Sequence, residues 1–569
     1  MLAGKRCAML LVIVSALLFI LAFPVTSHDI SPWPFIFFAL TPFFLGIERE
    51  KTFIRSFFIG AVWGAIMSLG LAYWLVYAMI WQYGISVAVT VLIIVLGLVM
   101  PHAVIYGLFA VMYRYLKDSV PGAAGGLPFY CMTVPSLWVV LEFTREIFPL
   151  VVPWGLAGYG LQPFNLYMQA ADIAGIYGIS FLVVVVNALI AYLARDIGLD
   201  GFKNTPLFRN LTAQMAIIGR RKRAALVVLV LAIAVPVLYG AVRREAVNDL
   251  VLKGRIPGLL ISVSAVQANF TQEERWRRTG FIERVNVCLG LTRRCGATLS
   301  SPVGMKISSP DSIVVWPETV LNSSGMVDTK LFSYIQTQIG GSRLLIAGGV
   351  RRTIGSRGVF NTAFIVEKGG DALFYDKNIL LPYAETAPFG RLFGDYYTAP
   401  AEFLAGGTPP AARTGMGLIG LSICFEALYP WHARRAAGEG ARLLVNISND
   451  GWFGRTSEPA LHLRQASVRA IENRRFMVRT SNNGYSAIIS PAGEYVTKSG
   501  LFTRECVSGD AVLLDLRTLY SRFGDWIVCL SAAVIGVLLL VVAIRVKWRP
   551  CFNKRRRPVD ARPPLFPPP

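Results

Sequence analysis

The sequence has few cysteines, and no two of them form a close pair. Eight cysteines are scattered over 569 residues, without a Cys-x-x-Cys pair or another metal-ligand spacing. This pattern excludes the common cysteine-based metal sites, and we expect neither a metal nor a cofactor. Cys288 and Cys295, if they share a helix, would lie about 10 Å apart along its axis, too far for a bridge. Other disulfide pairings stay open.

Charged residues are also scarce, at 16% of the chain, whereas apolar residues make up 54%. This composition excludes an ordinary soluble protein and indicates a membrane protein with a folded domain attached. A spanning helix needs about 20 apolar residues. Eight segments approach or exceed that length, near 8–24, 31–47, 54–79, 85–113, 127–147, 173–194, 224–242 and 526–544. The first has no evident cleavage site, so we interpret it as a retained helix.

Three connections between these segments, 24–31, 80–85 and 148–172, contain no lysine or arginine, whereas the alternate connections are basic. Because positive charge stays on the cytoplasmic side, both termini are predicted to be cytoplasmic. The predicted domains are a seven-helix transmembrane domain 1–245, an extracytoplasmic domain 246–524, a transmembrane helix 525–546 and a basic, proline-rich cytoplasmic tail 547–569. Most of the net charge of +22 follows from this topology, so we expect no nucleic-acid partner,.

From about residue 255 the pattern becomes that of a soluble α/β domain. The predicted strands are Leu259–Gln267, Ser312–Glu318, Leu344–Gly349, Gly417–Ile423 and Arg442–Ile447, with hairpins formed by Asn361–Glu367 with Ala372–Lys377 and by Phe476–Val496. Helices are predicted at Gln272–Cys295 and near 427–438 and 460–474. The predicted fold class is therefore a multi-pass α-helical bundle of eight helices plus a layered α/β domain.

Three reactive groups lie at or just after predicted strand ends: Glu318, Lys377 and Cys424. Each has an alternative interpretation, because a cysteine on an apolar strand is often buried and inert, and a glutamate or lysine is usually solvated. As a set they suit acyl transfer. The thiol would attack a carbonyl, the carboxylate would take its proton, and the ammonium would stabilise the oxyanion.

Glu142 and Arg145 are unusual because they are charged residues near the outer end of a predicted spanning helix. Such residues often belong to a functional site. They could equally form a mutual ion pair at the membrane interface. The sequence leaves both interpretations open.

Several motifs resemble those of the nitrilase superfamily, in its membrane-bound apolipoprotein N-acyltransferase branch. In the soluble domain they are Trp316-Pro-Glu318, Lys377-Asn-Ile-Leu-Leu-Pro-Tyr-Ala-Glu385, Ile423-Cys424-Phe-Glu426 and Asn449-Asp-Gly-Trp-Phe-Gly454. In the membrane half they are Pro153-Trp154, Gly158-Tyr-Gly160 and Ala171-Asp-Ile-Ala-Gly-Ile-Tyr-Gly-Ile-Ser-Phe181. The resemblance covers nearly the whole chain. It implies an αββα nitrilase-like sandwich on the periplasmic side of the bacterial inner membrane.

The resemblance also implies a role for each matching residue. Glu318 would be the general base, Lys377 the oxyanion stabiliser and Cys424 the nucleophile that forms a thioester. The supporting residues would be Glu385 and Glu426, with Trp276 lining the entrance and Phe425 next to the nucleophile. At this last position the family commonly has tyrosine, so any role of that hydroxyl is absent here.

The implied reaction moves a fatty acyl chain from a membrane phospholipid to the N-terminal amine of a diacylglyceryl-cysteine apolipoprotein. The expected partners are therefore the phospholipid donor, the lipoprotein acceptor and the lipid bilayer. One alternative is a membrane-tethered amidase or nitrile hydrolase with the same three groups. Another is a transporter or lipid-binding scaffold, for which we would expect one of the three groups to be missing.

Overall fold

The structure is a computed structural model. It describes residues 2–119, 126–147, 153–195, 219–276, 280–297, 312–321, 329–340, 343–352, 358–367, 372–382, 384–386 and 403–554. The cytoplasmic tail predicted at 547–569 lies outside these residues from 555 onward.

Apolar helices dominate the first 253 residues. They are Leu2–Leu21, Thr41–Arg49, Phe53–Leu71, Trp74–Tyr77, Val87–Ile93, Met100–Ser119, Val134–Ile147, Asn165–Met168, Ala171–Ala194 and Arg220–Lys253. Shorter 3-10 or π turns occur at Trp33–Phe37, Ala78–Gln82, Ile94–Val99, Phe129–Thr133 and Ala157–Leu161. Near the other end of the chain, Trp526–Lys554 forms a last long helix.

Among the described residues, five helices are long and apolar enough to cross a membrane: Phe53–Leu71, Val87–Ser119, Ala171–Ala194, Arg220–Lys253 and Trp526–Arg545. This confirms a multi-helix membrane protein, but it does not confirm the count of eight. The predicted span 31–47 is instead a 3-10 turn followed by a nine-residue helix. The domain boundary predicted at 245 falls inside the helix Arg220–Lys253.

Close helix packing explains the small residues of the membrane half. A Cβ atom added at Gly60 would lie 2.0 Å from the Tyr106 carbonyl oxygen, and one added at Gly64 would lie 2.5 Å from the His102 carbonyl oxygen. Two backbones can approach this closely only where the side chain is absent. The helix Phe53–Leu71 therefore packs directly on Met100–Ser119.

Glu142 and Arg145 are buried, and both bind the connection that follows their helix. The Ala157 N–H donates a hydrogen bond of 2.7 Å to Glu142 Oε1, and Arg145 donates to the Trp154 carbonyl oxygen. The two charges therefore hold this connection against the helix bundle, which favours a structural role over the site interpretation.

The described residues of the soluble domain form two six-stranded sheets. The strands are β1 Leu260–Gln267, β2 Ser312–Leu321, β3 Arg343–Arg351, β4 Phe360–Val366, β5 Leu373–Asp376, β6 Ala411–Thr414, β7 Gly417–Ile423, β8 Leu443–Ser448, β9 Phe476–Ser481, β10 Ala487–Ile489, β11 Tyr495–Lys498 and β12 Glu505–Val512. The first sheet has the order β12-β1-β2-β3-β4-β5 and the second the order β11-β10-β9-β8-β7-β6. In each, three parallel strands are flanked by antiparallel ones.

Apolar side chains pack between the two sheets, and helices cover their outer faces. Phe281–Ala297 and Thr329–Ile339 pack on the first sheet, and Pro430–Gly438 and Glu458–Asn473 pack on the second. Strands covered on both faces form the continuous apolar runs seen in the sequence. The result is the predicted αββα sandwich.

Two predicted elements of the soluble domain differ from the structure. The helix predicted at Gln272–Cys295 consists of two helices, Gln272–Trp276 and Phe281–Ala297. The segment Phe476–Val496 contains parts of three strands rather than one hairpin, because the chain also reverses between β9 and β10. The hairpin predicted from Asn361 to Lys377 is confirmed as the antiparallel pair of β4 and β5.

Polar and covalent links hold the architecture together. Arg474 donates hydrogen bonds of 2.8 and 3.0 Å to the Asp172 carboxylate, which joins the soluble domain to a membrane helix. A disulfide between Cys295 and Cys506 joins the helix Phe281–Ala297 to β12. The sequence left this pairing open, because the two cysteines are 211 residues apart.

Candidate active site

Cys424 lies directly after β7, where the strand turns sharply into the 3-10 helix Cys424–Leu428. Its φ is +52°, in the left-handed region that residues other than glycine rarely adopt,. Such strain is common at functional sites. The backbone here departs from that of an inert cysteine within a strand, although the thiol is buried as that interpretation predicted.

Glu318 lies within β2 rather than at its end, so the predicted strand boundary was wrong. The pairing of β2 with β3 is interrupted between Trp316 and Leu321, and Thr319 has a φ of +58°. This irregularity brings the backbone against Gly348, where an added Cβ would lie 2.5 Å from the Glu318 Cα. A glycine at 348 is therefore needed for the local geometry that places the Glu318 carboxyl.

The Glu318 carboxyl is buried, with the residue only 7% exposed, so its solvated interpretation is wrong. Asn361 Nδ2 donates a hydrogen bond of 2.6 Å to Glu318 Oε1. Burial raises the pKa of Glu318, and the nearby Lys377 ammonium opposes that rise. A carboxylate with a raised pKa is better suited to accepting a proton than a solvated one.

Lys377 follows β5 and is 1% exposed, so its solvated interpretation is also wrong. Its Nζ donates a hydrogen bond of 2.7 Å to Glu385 Oε2. Burial alone would lower the pKa of Lys377, but the charge and hydrogen bond of Glu385, together with the nearby Cys424 and Glu318, outweigh burial and raise it. The side chain is therefore a fixed ammonium rather than a proton donor.

Glu385 connects the other groups of the site. Its Oε2 accepts from Lys377 and from the Leu381 N–H at 2.8 Å, and its Oε1 accepts from Asn361 at 3.0 Å. Because Asn361 also binds Glu318, one amide holds the two carboxylates in a fixed relation. The supporting position predicted for Glu385 agrees with these contacts.

Glu426 is fully buried and lies between the segments that carry Cys424 and Lys377. Its carboxylate accepts from the Ile423 N–H at 2.7 Å and from the Asn378 N–H at 2.6 Å. Tyr375 donates to the same carboxylate at 2.8 Å. Since Ile423 precedes Cys424 and Asn378 follows Lys377, Glu426 fixes the two reactive segments relative to each other.

Phe425 and Trp276 are the two aromatic residues predicted to lie near the nucleophile. The Phe425 ring is buried and packs edge-on against Tyr429, with 5.3 Å between the ring centroids. Trp276 ends the helix Gln272–Trp276, but its side chain lies outside the described residues. Its predicted position at the entrance therefore stays a prediction.

Both Glu318 and Lys377 shift the pKa of the Cys424 thiol. Burial raises its pKa, the Glu318 charge raises it further, and the Lys377 charge opposes both. The Lys377 charge therefore lowers the pKa of the thiol, but it does not cancel the effects of burial and of Glu318. The thiol is protonated at rest and needs a base when it attacks.

A second polar cluster lies beside Cys424 at the carboxyl ends of the parallel strands β7, β8 and β9. Donor atoms of Cys424, Asp450 and His462 lie within 4.8 Å of one another, a spacing that could hold a metal ion. Asp450 already binds Arg479 at 2.8 Å and Ser448 at 2.7 Å. Because protein partners use these oxygens, we assign no metal to the cluster.

Sequence reasoning missed several polar residues of the site. Asn361, Tyr375 and His462 touch the predicted residues, and Arg275 donates to the Glu318 carbonyl oxygen at 3.4 Å. Asn361 is 43 residues from Glu318 along the chain. No local sequence spacing could have paired these two residues. Asp450, by contrast, lies in the motif Asn449-Asp-Gly-Trp-Phe-Gly454 that the sequence indicated.

Two family models match the chain. One is described as the apolipoprotein N-acyltransferase N-terminal domain and matches residues 15–189. The other, carbon-nitrogen hydrolase, matches residues 312–519. Together they cover most of the membrane half and most of the soluble domain, and the second match includes Glu318, Lys377 and Cys424.

Relatives named apolipoprotein N-acyltransferase align with the chain over most of its length. That of Geobacter metallireducens is 28% identical and covers 93% of this chain and 94% of its own. That of Azotobacter vinelandii is 27% identical, covering 91% and 92%. That of Rickettsia typhi is 25% identical, covering 88% and 96%. Among solved structures, Nit3 of Saccharomyces cerevisiae, a nitrilase-superfamily member, covers 47% of this chain with 15% identity and a TM-score of 0.34.

Proposed function

Because the chain belongs to the apolipoprotein N-acyltransferase family, we propose that it transfers a fatty acyl chain from a membrane phospholipid to the N-terminal amine of a diacylglyceryl-cysteine lipoprotein. The observation that carries this proposal is the position of Cys424. Its thiol lies at a strained turn, and the charges of both Glu318 and Lys377 act on it.

In the first half-reaction Glu318 takes the proton of the Cys424 thiol while the sulfur attacks the ester carbonyl of the phospholipid. The Lys377 ammonium stabilises the oxyanion of the tetrahedral intermediate. The intermediate collapses to a thioester, and the lysophospholipid leaves as an alcohol with the proton returned by Glu318. An acyl group is then stored on sulfur.

In the second half-reaction the free amine of the lipoprotein attacks the thioester carbonyl. Glu318 takes the proton lost by the amine and returns it to the departing thiolate of Cys424. The products are an amide and the resting thiol. Glu385 holds Lys377, and Glu426 holds the backbone on both sides of the reaction, so neither needs to touch the substrate.

The membrane helices fit this chemistry because both substrates carry acyl chains. We place the protein in the bacterial inner membrane because of its family, and we place residues 246–524 in the periplasm because of the lysine and arginine distribution,. Reporter fusions after residue 245 should behave as extracytoplasmic and fusions after residue 550 as cytoplasmic. If both report the same compartment, this orientation is wrong.

The test of function uses the full-length protein in detergent with a phospholipid and a diacylated lipopeptide that has a free amino terminus. The lipopeptide should gain the mass of one acyl chain, and a lipopeptide with an acetylated amino terminus should gain none. Release of free fatty acid without transfer would instead favour the membrane-tethered hydrolase.

A further inference from the structure

His462 lies directly behind the candidate nucleophile, and the reaction described above gives it no role. It belongs to the helix Glu458–Asn473 and is almost fully buried. Its Nε2 is 3.0 Å from the carbonyl oxygen of Cys424, and its Nδ1 is 3.1 Å from Asp450 Oδ1. One ring therefore joins the backbone of the nucleophile to a buried carboxylate.

The partners of the ring determine its protonation. A carbonyl oxygen can only accept a hydrogen bond, so Nε2 carries a hydrogen. Arg479 donates hydrogen bonds to both carboxylate oxygens of Asp450, at 3.1 and 2.8 Å, which favours the ionised form of that carboxyl,. Asp450 is therefore an acceptor too, and Nδ1 must also carry a hydrogen. The geometry requires a doubly protonated imidazolium.

The electrostatic environment agrees with this assignment. Burial and the Arg479 charge disfavour a charged ring, but Asp450 and Glu458 outweigh them, and the pKa of His462 lies above its usual value. Glu458 Oε1 is 3.3 Å from Nδ1. Burial raises the pKa of Glu458 to about 7, so Asp450 is the more fully charged of the two counterions near neutral pH.

The ring cannot move freely. Trp154, in the outer connection of the membrane half, packs edge-on against it with 5.7 Å between the ring centroids. On the other side, Asp450 is itself held by Arg479 at 2.8 Å and by Ser481 at 3.1 Å. Because Trp154 and Asp450 hold the ring in place, its hydrogen bond holds the Cys424 carbonyl oxygen in one position.

This carbonyl belongs to a strained turn. Cys424 has a φ of +52°, a conformation that the surrounding structure must enforce in a residue other than glycine,. Because a trans peptide is planar, fixing the Cys424 carbonyl also fixes the Phe425 N–H, which points the opposite way. This N–H is in the first turn of the 3-10 helix, where amides have no partner within the helix,.

We propose that His462 is a positioning residue: as an imidazolium it holds the Cys424 carbonyl, and thereby fixes the peptide plane and the attack direction of the nucleophile. The inference rests on the proposed function of Cys424. His462 touches no substrate and exchanges no proton during the reaction. Its contact with Trp154 also makes the position of the nucleophile depend on the membrane half.

Two substitutions separate this role from a purely structural one. In His462→Gln the amide nitrogen can take the position of Nε2 and still donate to the Cys424 carbonyl. In His462→Asn the shorter amide can replace only Nδ1, so the contact with Asp450 survives and the contact with Cys424 is lost. If His462 only stabilised Asp450, asparagine would replace it at least as well as glutamine.

The first readout is the rate at which phospholipid acylates Cys424. We expect His462→Gln to stay close to wild type and His462→Asn to fall by about 100-fold, as for a misplacement of about 1 Å. The phospholipid KM should change little in either variant. An asparagine variant that is as fast as the glutamine variant would overturn the proposal.

The second readout needs no lipid and therefore distinguishes failure of this inference from failure of the proposed function. Alkylation of Cys424 by iodoacetamide, measured on the Cys424 peptide after digestion because the chain has other free cysteines, should be slower in His462→Asn than in His462→Gln. If wild type forms no acyl-enzyme but His462→Asn is still alkylated more slowly than His462→Gln, the proposed reaction is wrong and the positioning role of His462 stands.

The third readout uses wild-type protein and holds even if both variants fail to fold. The chain has four histidines, so ¹⁵N-histidine labelling gives a small set of ring signals in a two-dimensional spectrum. At neutral pH we expect one buried histidine with both nitrogens protonated. If every buried histidine has a neutral ring, the proposal is overturned.

Discussion

Two buried ionic clusters flank Cys424, and they differ in how their charges are balanced. The lysine cluster comprises Glu318, Asn361, Lys377 and Glu385, with two carboxylates around one ammonium. The histidine cluster comprises Ser448, Asp450, Glu458, His462, Arg479 and Ser481, where the Asp450 carboxylate is bound by two cations and two hydroxyls.

This difference separates a cluster that can take part in proton transfer from one that cannot. In the lysine cluster, burial raises the pKa of Glu318, so its proton affinity is higher than that of a solvated carboxyl. In the histidine cluster, burial raises the pKa of Asp450, but the charges of Arg479 and His462 together with hydrogen bonds from His462 and Ser448 lower it below its usual value. Burial acts in the same direction on both carboxyls, and the results differ because cations are hydrogen-bonded to Asp450, whereas the neutral Asn361 is hydrogen-bonded to Glu318.

The largest effect on the reaction is expected from removing the proton acceptor of the lysine cluster. Glu318→Gln keeps the size of the side chain but removes its basicity, so the acylation rate should fall by about 10²- to 10⁴-fold. In wild type the rate should fall as the pH is lowered, with a midpoint above that of a solvated glutamate, because burial raises the pKa of Glu318.

The matched control is Glu439→Gln, which changes a glutamate paired with Arg435 on the surface. It should leave the rate unchanged. A Glu318→Gln variant that folds and acylates at the rate of this control would return Glu318 to a structural role.

Removing the ammonium should have the next largest effect. Lys377→Met keeps much of the apolar stem but loses the charge, so the acylation rate should fall by about 10²- to 10³-fold if this group stabilises the oxyanion. Burst kinetics with a chromogenic ester can measure the rate. Lys253→Met, at a residue whose side chain is 72% exposed, is the control. Near-normal acylation by folded Lys377→Met would contradict the assignment.

The smallest effect on the reaction is expected outside both clusters. Cys506→Ser removes the disulfide to Cys295 and frees a loop of 211 residues. Closed loops of this kind typically stabilise a protein by about 2–4 kcal/mol, so the melting temperature should fall while the acylation rate per folded enzyme is unchanged. A reductant should lower the melting temperature of wild type but not that of Cys506→Ser. A slower reaction in the intact fold would show that the disulfide acts on the site.

The fold and the reactive groups were predictable for different reasons. Apolar segments and alternate basic connections indicated a membrane half, and continuous apolar strands indicated a covered sheet. Cys424 was found because an apolar run stops at it. Glu318 and Lys377 could be assigned catalytic roles only in combination with Cys424. The resemblance to a known family then supported the same three roles.

The remaining features depend on contacts between distant parts of the chain. Asn361 joins Glu318 to Glu385, and His462 reaches back 38 residues to Cys424. The continuation of β2 beyond Glu318 depends on Gly348 in the neighbouring strand. The broken span at 31–47 was missed because hydropathy alone does not reveal where a helix is interrupted.

The central claim is that Cys424 carries the acyl group between the two substrates. Full-length protein in detergent should be given phospholipid without an amine acceptor and examined by intact-protein mass spectrometry. A site that excludes water should let the thioester accumulate. We predict a mass gain of one fatty acyl group that is labile to neutral hydroxylamine, absent from Cys424→Ala and discharged by the lipopeptide. Fatty acid release without an acyl-enzyme, or an acyl group that persists in Cys424→Ala, would contradict the account.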